Sequence, residues 1–185
     1  MTQKHWRNVK KVSVLSLSLA LIMIALFFSP LGQSAIKSWL KSKFINDFEV
    51  ELTMGTLFVN PIGANSLTDL LIRDHRNDTL VFINHLTFES NSFGSMLTST
   101  LNLDEVELDS LFLNIVKYKN DDRSNLDIFI EKVKPNDVKI KQLNASSIKL
   151  IQSKVKFTDF NEVKSTKQLF SNINAKLFDL NSGAA

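Results

Sequence analysis

The stretch LNLDEVELDSLFLNI, Leu101 to Ile115, decides how this chain folds. Its apolar residues are Leu101, Leu103, Val106, Leu108, Leu111, Leu113 and Ile115. They recur every two residues, with two skips of three. Period two is the mark of a pleated strand with one apolar face. Glu105, Glu107 and Asp109 then share the opposite, solvated face. The pattern predicts two strands, Thr100 to Leu108 and Leu111 to Tyr118. Their apolar face must press on a core, a partner or a ligand.

Strand patterns run through the rest of the body. FEVELTMGTLFV alternates weakly. SLTDLLIRD places Leu70 and Ile72 on one face, and DTLVFINHLTFES places Leu80, Phe82, Leu86 and Phe88 on one face with Asn84 interrupting. SFGSMLTST reads as a helical turn or loop, and LDIFIEKVKPND as a short helix ending before Pro135. VKIKQLNASSIKLIQSKVKFTDF and LFSNINAKLFDL supply further strands. A shift of 37 residues lays Leu101 on Val138, Leu103 on Ile140, Val106 on Leu143, Leu111 on Ile148 and Leu113 on Leu150. Repetition of a strand unit predicts a sheet that grows by adding neighbours. Short strands divided by turns predict a mainly β fold with an antiparallel sheet.

Charge is divided unevenly. Residues 1–46 hold seven Lys or Arg and no acid; the rest holds 15 bases and 19 acids. The basic residues after Asp47 form no stripe, so the balance does not mark a nucleic-acid binder. There is no cysteine, which excludes disulfides, thiolate catalysis and Cys-ligated zinc. RDHRND, with Asp74, His75 and Asp78, reads as a polar turn. DEVELD lacks the converging turn that a calcium site needs. No phosphate-binding glycine loop and no nucleophile elbow occurs. No catalytic residue, cofactor or metal is expected.

The amino-terminal segment is basic and then apolar. Lys4, Arg7, Lys10 and Lys11 precede VSVLSLSLALIMIALFFSPL. Residues 1–11 form a basic flank and residues 12–31 a predicted membrane anchor, roughly 30 Å long at 1.5 Å per residue. A cleaved signal peptide is the competing reading, but the run is long for one and the small-residue site is poor. The flanking charges favour a cytoplasmic amino terminus. Residues 33–45 then predict an amphipathic helix at the membrane surface, with Trp39 as interface anchor beside Lys37, Lys41 and Lys43. A helix capping the end of the sheet explains the same pattern. Residues 48–185 start the β domain.

The order of these features resembles the amino-terminal region of the TamB family, in the AsmA-like superfamily. The resemblance covers roughly residues 10–160. It rests on Ser29, Pro30 and Gln33 at the anchor's exit, on Asp78, Thr79 and Leu80, and on Asn125, Leu126, Phe129 and Ile130. Asn77 stands where the family often has glycine. The resemblance implies a single-pass inner-membrane protein with a periplasmic body. Its extended sheet would curl into an open apolar trough, a β-taco. It also implies phospholipid transport toward the outer membrane, an Omp85-family partner bound through a part of the chain beyond this one, and no enzymatic activity. Family members are much longer, so this chain is expected to be part of a longer protein. The candidate trough lining is Leu70 and Ile72; Phe82, Leu86 and Phe88; Leu101, Leu103, Val106, Leu108, Leu111 and Leu113; and Val138, Ile140, Leu143, Ile148 and Leu150. Two alternatives stand beside it. The same residues serve equally as the core of a closed sandwich, and the anchored sheet serves equally as a scaffold or docking module that carries no lipid.

Overall fold

The computed structural model describes residues 16–18, 21–22, 24–60, 63–90, 100–133, 142–162 and 166–181. The chain forms two units, Met1–Ser38 and Trp39–Ala185.

In the first unit, residues 24–28 are helical, the chain breaks at Ser29, and helix α1 (Pro30–Phe48) begins. The break has a local chemical cause. Ser29 Oγ accepts from the Gly32 amide at 3.1 Å and donates to the Leu26 carbonyl at 2.6 Å. It is therefore the N-cap of α1. Pro30 follows at the first helical position, where no amide donor is needed. The buried Gln33 donates its Nε2 to the Phe27 carbonyl at 3.1 Å. A Cβ on Gly32 would collide with the Leu26 carbonyl oxygen and lie 2.8 Å from that of Phe27, so only glycine fits. The SPLGQ stretch is thus a junction between two helices.

Helix α1 extends past the predicted 33–45 at both ends. It closes where Glu49, at φ 52°, donates its amide to the Ile45 carbonyl at 3.1 Å. Along it Ile36, Leu40 and Phe44 are half-buried, Lys41 and Lys43 are exposed, and Trp39 is 61% exposed. Among the described residues no helix is long and apolar enough to cross a membrane. Of the predicted span 12–31, residues 12–15, 19–20 and 23 lie outside the described set.

The second unit is a curved, open sheet of seven strands. These are β1 (Leu52–Thr53), β2 (Leu57–Phe58), β3 (Ala64–Arg73), β4 (Thr79–Ser90), β5 (Thr100–Lys117), β6 (Gln142–Asp159) and β7 (Thr166–Asn181). A short helix, α2 (Asn125–Val133), lies between β5 and β6. The order is β1-β3-β4-β5-β6-β7, with β2 also paired to β3. Among the described residues the two edges are not joined, and the sheet is open rather than closed into a barrel. Among the described elements, substantial contacts run between sheet neighbours and between α2 and β5.

Two expectations need correction. The sheet is not wholly antiparallel, because β5 and β6 run parallel. Their connection, residues 118–141, is long enough to carry the chain back to the starting end, as parallel pairing requires. The repeat is also offset differently. Leu101 pairs with Leu143, Val106 with Ile148, Leu108 with Leu150, Leu113 with Val155 and Ile115 with Phe157, a shift of 42 rather than 37. The loop and helix set which equal positions lie side by side, and β periodicity alone tolerates several offsets. Residues 91–99 and 134–141 lie outside the described residues, and with them the helical turn expected over SFGSMLTST.

The two skips in the opening stretch are features of β5, which is one strand rather than two. At the first, Phe88 pairs with Val106 but Ser90 pairs with Leu103, so β5 carries a bulge at Asp104–Glu105. At the second, Ser110 takes φ 56°. Residues near the same level on β3, β6 and β7 do the same: Asp69 has φ 51°, Gln152 φ 48° and Asn172 φ 56°. By register Asp69 lies opposite Asn84, Asn84 opposite Ser110, and Ser110 beside Gln152, whose amide donates to Asn174 Oδ1 at 3.0 Å. Gly55 closes the line between β1 and β2, where a Cβ would lie 2.7 Å from the Asp69 carboxylate. A left-handed residue bends an extended strand, so this polar line is a crease running across the sheet. Left-handed backbone strains β-branched residues most. Ser110→Val is expected to cost about 2 kcal/mol, and Ser110→Gly to be neutral or to add up to about 1 kcal/mol. Urea unfolding of the two variants checks this; equal destabilisation by both would show that Ser110's backbone is not what the site requires.

Candidate functional site: apolar rows on an open sheet

The register sorts the side chains into rows. On one side of the crease, Leu57, Leu67, Leu86, Leu108, Leu150 and Ala175 lie in one row across the sheet. Asn65, Phe88, Val106, Ile148 and Leu177 form the next row on that face. Beyond the crease, Leu70, Ile83 and Leu111 start a row, and Leu52, Ile72, Val81, Leu113, Val155 and Phe170 make another. In β3, β4 and β5 the apolar series resumes three residues past the last one, with the polar crease between.

These rows are covered at one end and bare at the other. Leu52, Leu57 and Leu67 near β1 and β2 are buried, whereas Phe170 is 56% and Leu177 47% exposed on β7. The alternate row on the first side of the crease is polar from Ser66 onward. Phe58, Ser66, Thr87, Glu107, Lys149 and Lys176 succeed one another. Lys149 donates to Glu107 at 2.8 Å and Lys176 to Glu105 at 3.1 Å. The hydrogen bond and charge of Glu107 raise the Lys149 pKa. On the first side of the crease one face of the sheet is therefore apolar and the other carries charge ladders, as DEVELD implies; beyond it, Leu71, Phe82 and Phe112 put apolar side chains on the opposite face as well.

Most of the candidate lining falls into these rows, with particular exceptions. Phe82 pairs with Leu71 and Phe112, one residue out of step with Val81 and Leu113, so it faces away from them. Leu103 pairs with Ala145, and the backbones of Leu101 and Leu143 are paired. Val138 and Ile140 lie outside the described residues. Leu52, Leu57, Leu67, Val81, Ile83, Val155 and Phe170 belong to the rows and escape a strand-by-strand reading. Asn84 is the signal that could have found Val81 and Ile83, since the break in β4's pattern marks the crease.

RDHRND is more than a solvated turn. Asp74 Oδ1 accepts from the amides of Arg76 and Asp78, each at 2.9 Å. Asp74 Oδ2 accepts from Tyr118 Oη at 2.6 Å and from Asn125 Nδ2 at 2.9 Å. Asn125, 1% exposed, also donates to the Asn114 carbonyl at 3.0 Å and accepts from the Val116 amide at 2.8 Å. Arg76 grips Asp121 with contacts of 2.9 and 3.0 Å and lies 4.4 Å above the Tyr118 ring. Asn161, after β6, donates to the Tyr118 and Asp121 carbonyls. Helix α2 is capped reciprocally by Ser124 and Asp127, whose hydrogen bonds hold the Asp127 pKa down. Asp78 and Asn125, quoted from two separate motifs, meet here through Tyr118 and Asp74.

Burial raises the Asp74 pKa, but the hydrogen bonds from Tyr118, Asn125, Arg76 and Asp78 outweigh it, and the net value is lowered. Burial, followed by hydrogen bonds to Asp74 and Asp78, pushes the Tyr118 hydroxyl well above its ordinary value. A depressed carboxyl contributes stability that is complete above its unfolded pKa and is lost as pH falls through its folded pKa. The melting temperature is therefore expected to fall on acidification below the usual carboxylate range, and to fall less in Asp74→Asn. Identical acid limbs in the two proteins would remove Asp74 as the cause.

The fold and the rows together define a class: a curved, open β sheet crossed by apolar rows, with a polar knot fastening its end. No family model, no curated protein and no solved structure matches the chain.

Proposed function

We propose that this protein is an inner-membrane-anchored, periplasmic carrier whose apolar sheet face shields phospholipid acyl chains on their way toward the outer membrane. The observation that carries the reading is the row Leu52–Ile72–Val81–Leu113–Val155–Phe170, which crosses the sheet from a buried end to a bare one. Covering an acyl chain stabilises it by about 0.8 kcal/mol per methylene. A row of aliphatic side chains supplies that cover without catalytic groups or a cofactor. The head group stays in water, and the sheet curls as an open trough around the tail. The amino-terminal apolar segment crosses the membrane as far as the break at Ser29, α1 lies at its surface with Trp39, and an Omp85-family protein receives the far end.

The edge of β7, unpaired among the described residues, favours a second reading, a scaffold that docks a partner by strand addition. Mass spectrometry of lipids co-purified with the full chain separates the two. Bound phospholipid supports the carrier; a lipid-free protein that still assembles with its partner leaves only the scaffold.

A further inference from the structure

We infer a second binding site, for a hydroxyl-bearing phosphate group, in a cleft of about 500 Å³ between the ends of β5, β6 and β7. It lies on the face opposite Leu113, because Asn114 and Val116 alternate with Leu113 and Ile115 along β5. It therefore stands apart from the apolar rows and does not rest on the carrier reading.

Two lysines supply the charge. Lys156 pairs with Asn114 across the sheet, and Lys167 pairs with Thr158. Neither has an ion-pair partner among the described residues. Two buried polar atoms supply the demand. Thr158 is 2% exposed, and its Oγ1 has no hydrogen-bond partner. Asn114 donates its Nδ2 to the Thr79 carbonyl at 3.0 Å, which leaves Oδ1 buried and unpaired. Buried polar atoms without partners are rare, and each calls for a missing one.

The needs of these groups define the ligand. The lysines and the Thr158 hydroxyl donate to anionic oxygens, while Asn114 Oδ1 accepts only from a donor. A phosphate carrying an O–H, free or as a lipid's phosphomonoester head group, provides both in one group. Sulfate at neutral pH carries no such donor. Asp78, which also lines the cleft and lies 2.8 Å from Tyr118 Oη, disfavours the fully ionised form and reinforces the preference for a protonated one.

The test uses the full chain and inorganic phosphate, with sulfate at matched ionic strength. Phosphate is expected to raise the melting temperature by a few degrees at millimolar concentrations, and sulfate by less than half of that. Lys156→Gln with Lys167→Gln should abolish the phosphate shift. Thr158→Val should raise the melting temperature without ligand, since its orphan hydroxyl is gone, yet reduce the response to phosphate. Equal stabilisation by phosphate and sulfate, or a full shift in the double variant, overturns the site. Vesicles of phosphatidylcholine with phosphatidic acid identify the source. Capture that the double variant loses points to the lipid head group, and a phosphate shift with capture unchanged in that variant points to the free anion.

Discussion

Asn125→Ala is expected to lower the unfolding free energy by about 3 to 4 kcal/mol. The side chain is buried and makes three hydrogen bonds, to the Val116 amide, the Asn114 carbonyl and the Asp74 carboxylate. Truncation leaves a backbone donor and a backbone acceptor without their partner and takes one donor from a carboxylate. Each such loss costs about 1–3 kcal/mol, and a total this large belongs to the far end of the range for single substitutions. Asn125→Asp keeps the shape but sets an acid against Asp74, so its penalty should shrink as the pH falls. Urea unfolding reads both. A loss below about 0.5 kcal/mol in the alanine variant would mean that the knot does not fasten α2 to the sheet.

Leu113→Glu should cut phospholipid recovery more than tenfold while the protein still folds. Leu113 is half-buried in the row from Leu52 to Phe170, so a carboxylate there reaches water in the empty protein. An acyl chain laid over it would strip that water, and an unpaired charge in an apolar setting costs several kcal/mol. At about 1.4 kcal/mol per decade the expected loss of binding exceeds tenfold. Ser66→Glu, on the polar face, is the matched control and should leave recovery unchanged. Lipid retained by Leu113→Glu with normal circular dichroism would sink the carrier reading. Unfolding of Leu113→Glu, with Ser66→Glu intact, would make the row an ordinary core.

The strands themselves were legible because period two needs only the local sequence. SLTDLLIR, TLVFINHLTFES and LFSNINAKLFDL all lie within strands, and LDIFIEKV falls within α2. The split of charge between the faces was legible too, from Glu105, Glu107 and Asp109. The pairing offset and the parallel direction of β5 and β6 were not. Both depend on the path of residues 118–141, and a repeat of apolar letters matches at more than one offset. The knot was illegible for a related reason. Asp74, Tyr118, Asn125 and Asn161 are spread over 88 positions (161 less 74 is 87 steps), and nothing local links the turn of Asp74 to the strand end at Tyr118.

LNLDEVELDSLFLNI by itself determined that a strand with one apolar face runs here and that its rhythm breaks twice. Side-chain alternation is a local property of extended backbone, so it is written in the letters. Only the tertiary structure decided what the breaks are. The first is a bulge against β4, and the second is one step of a crease shared with Asp69, Gln152 and Asn172. A crease exists only when neighbouring strands bend at the same level, and that depends on register between segments far apart in the chain.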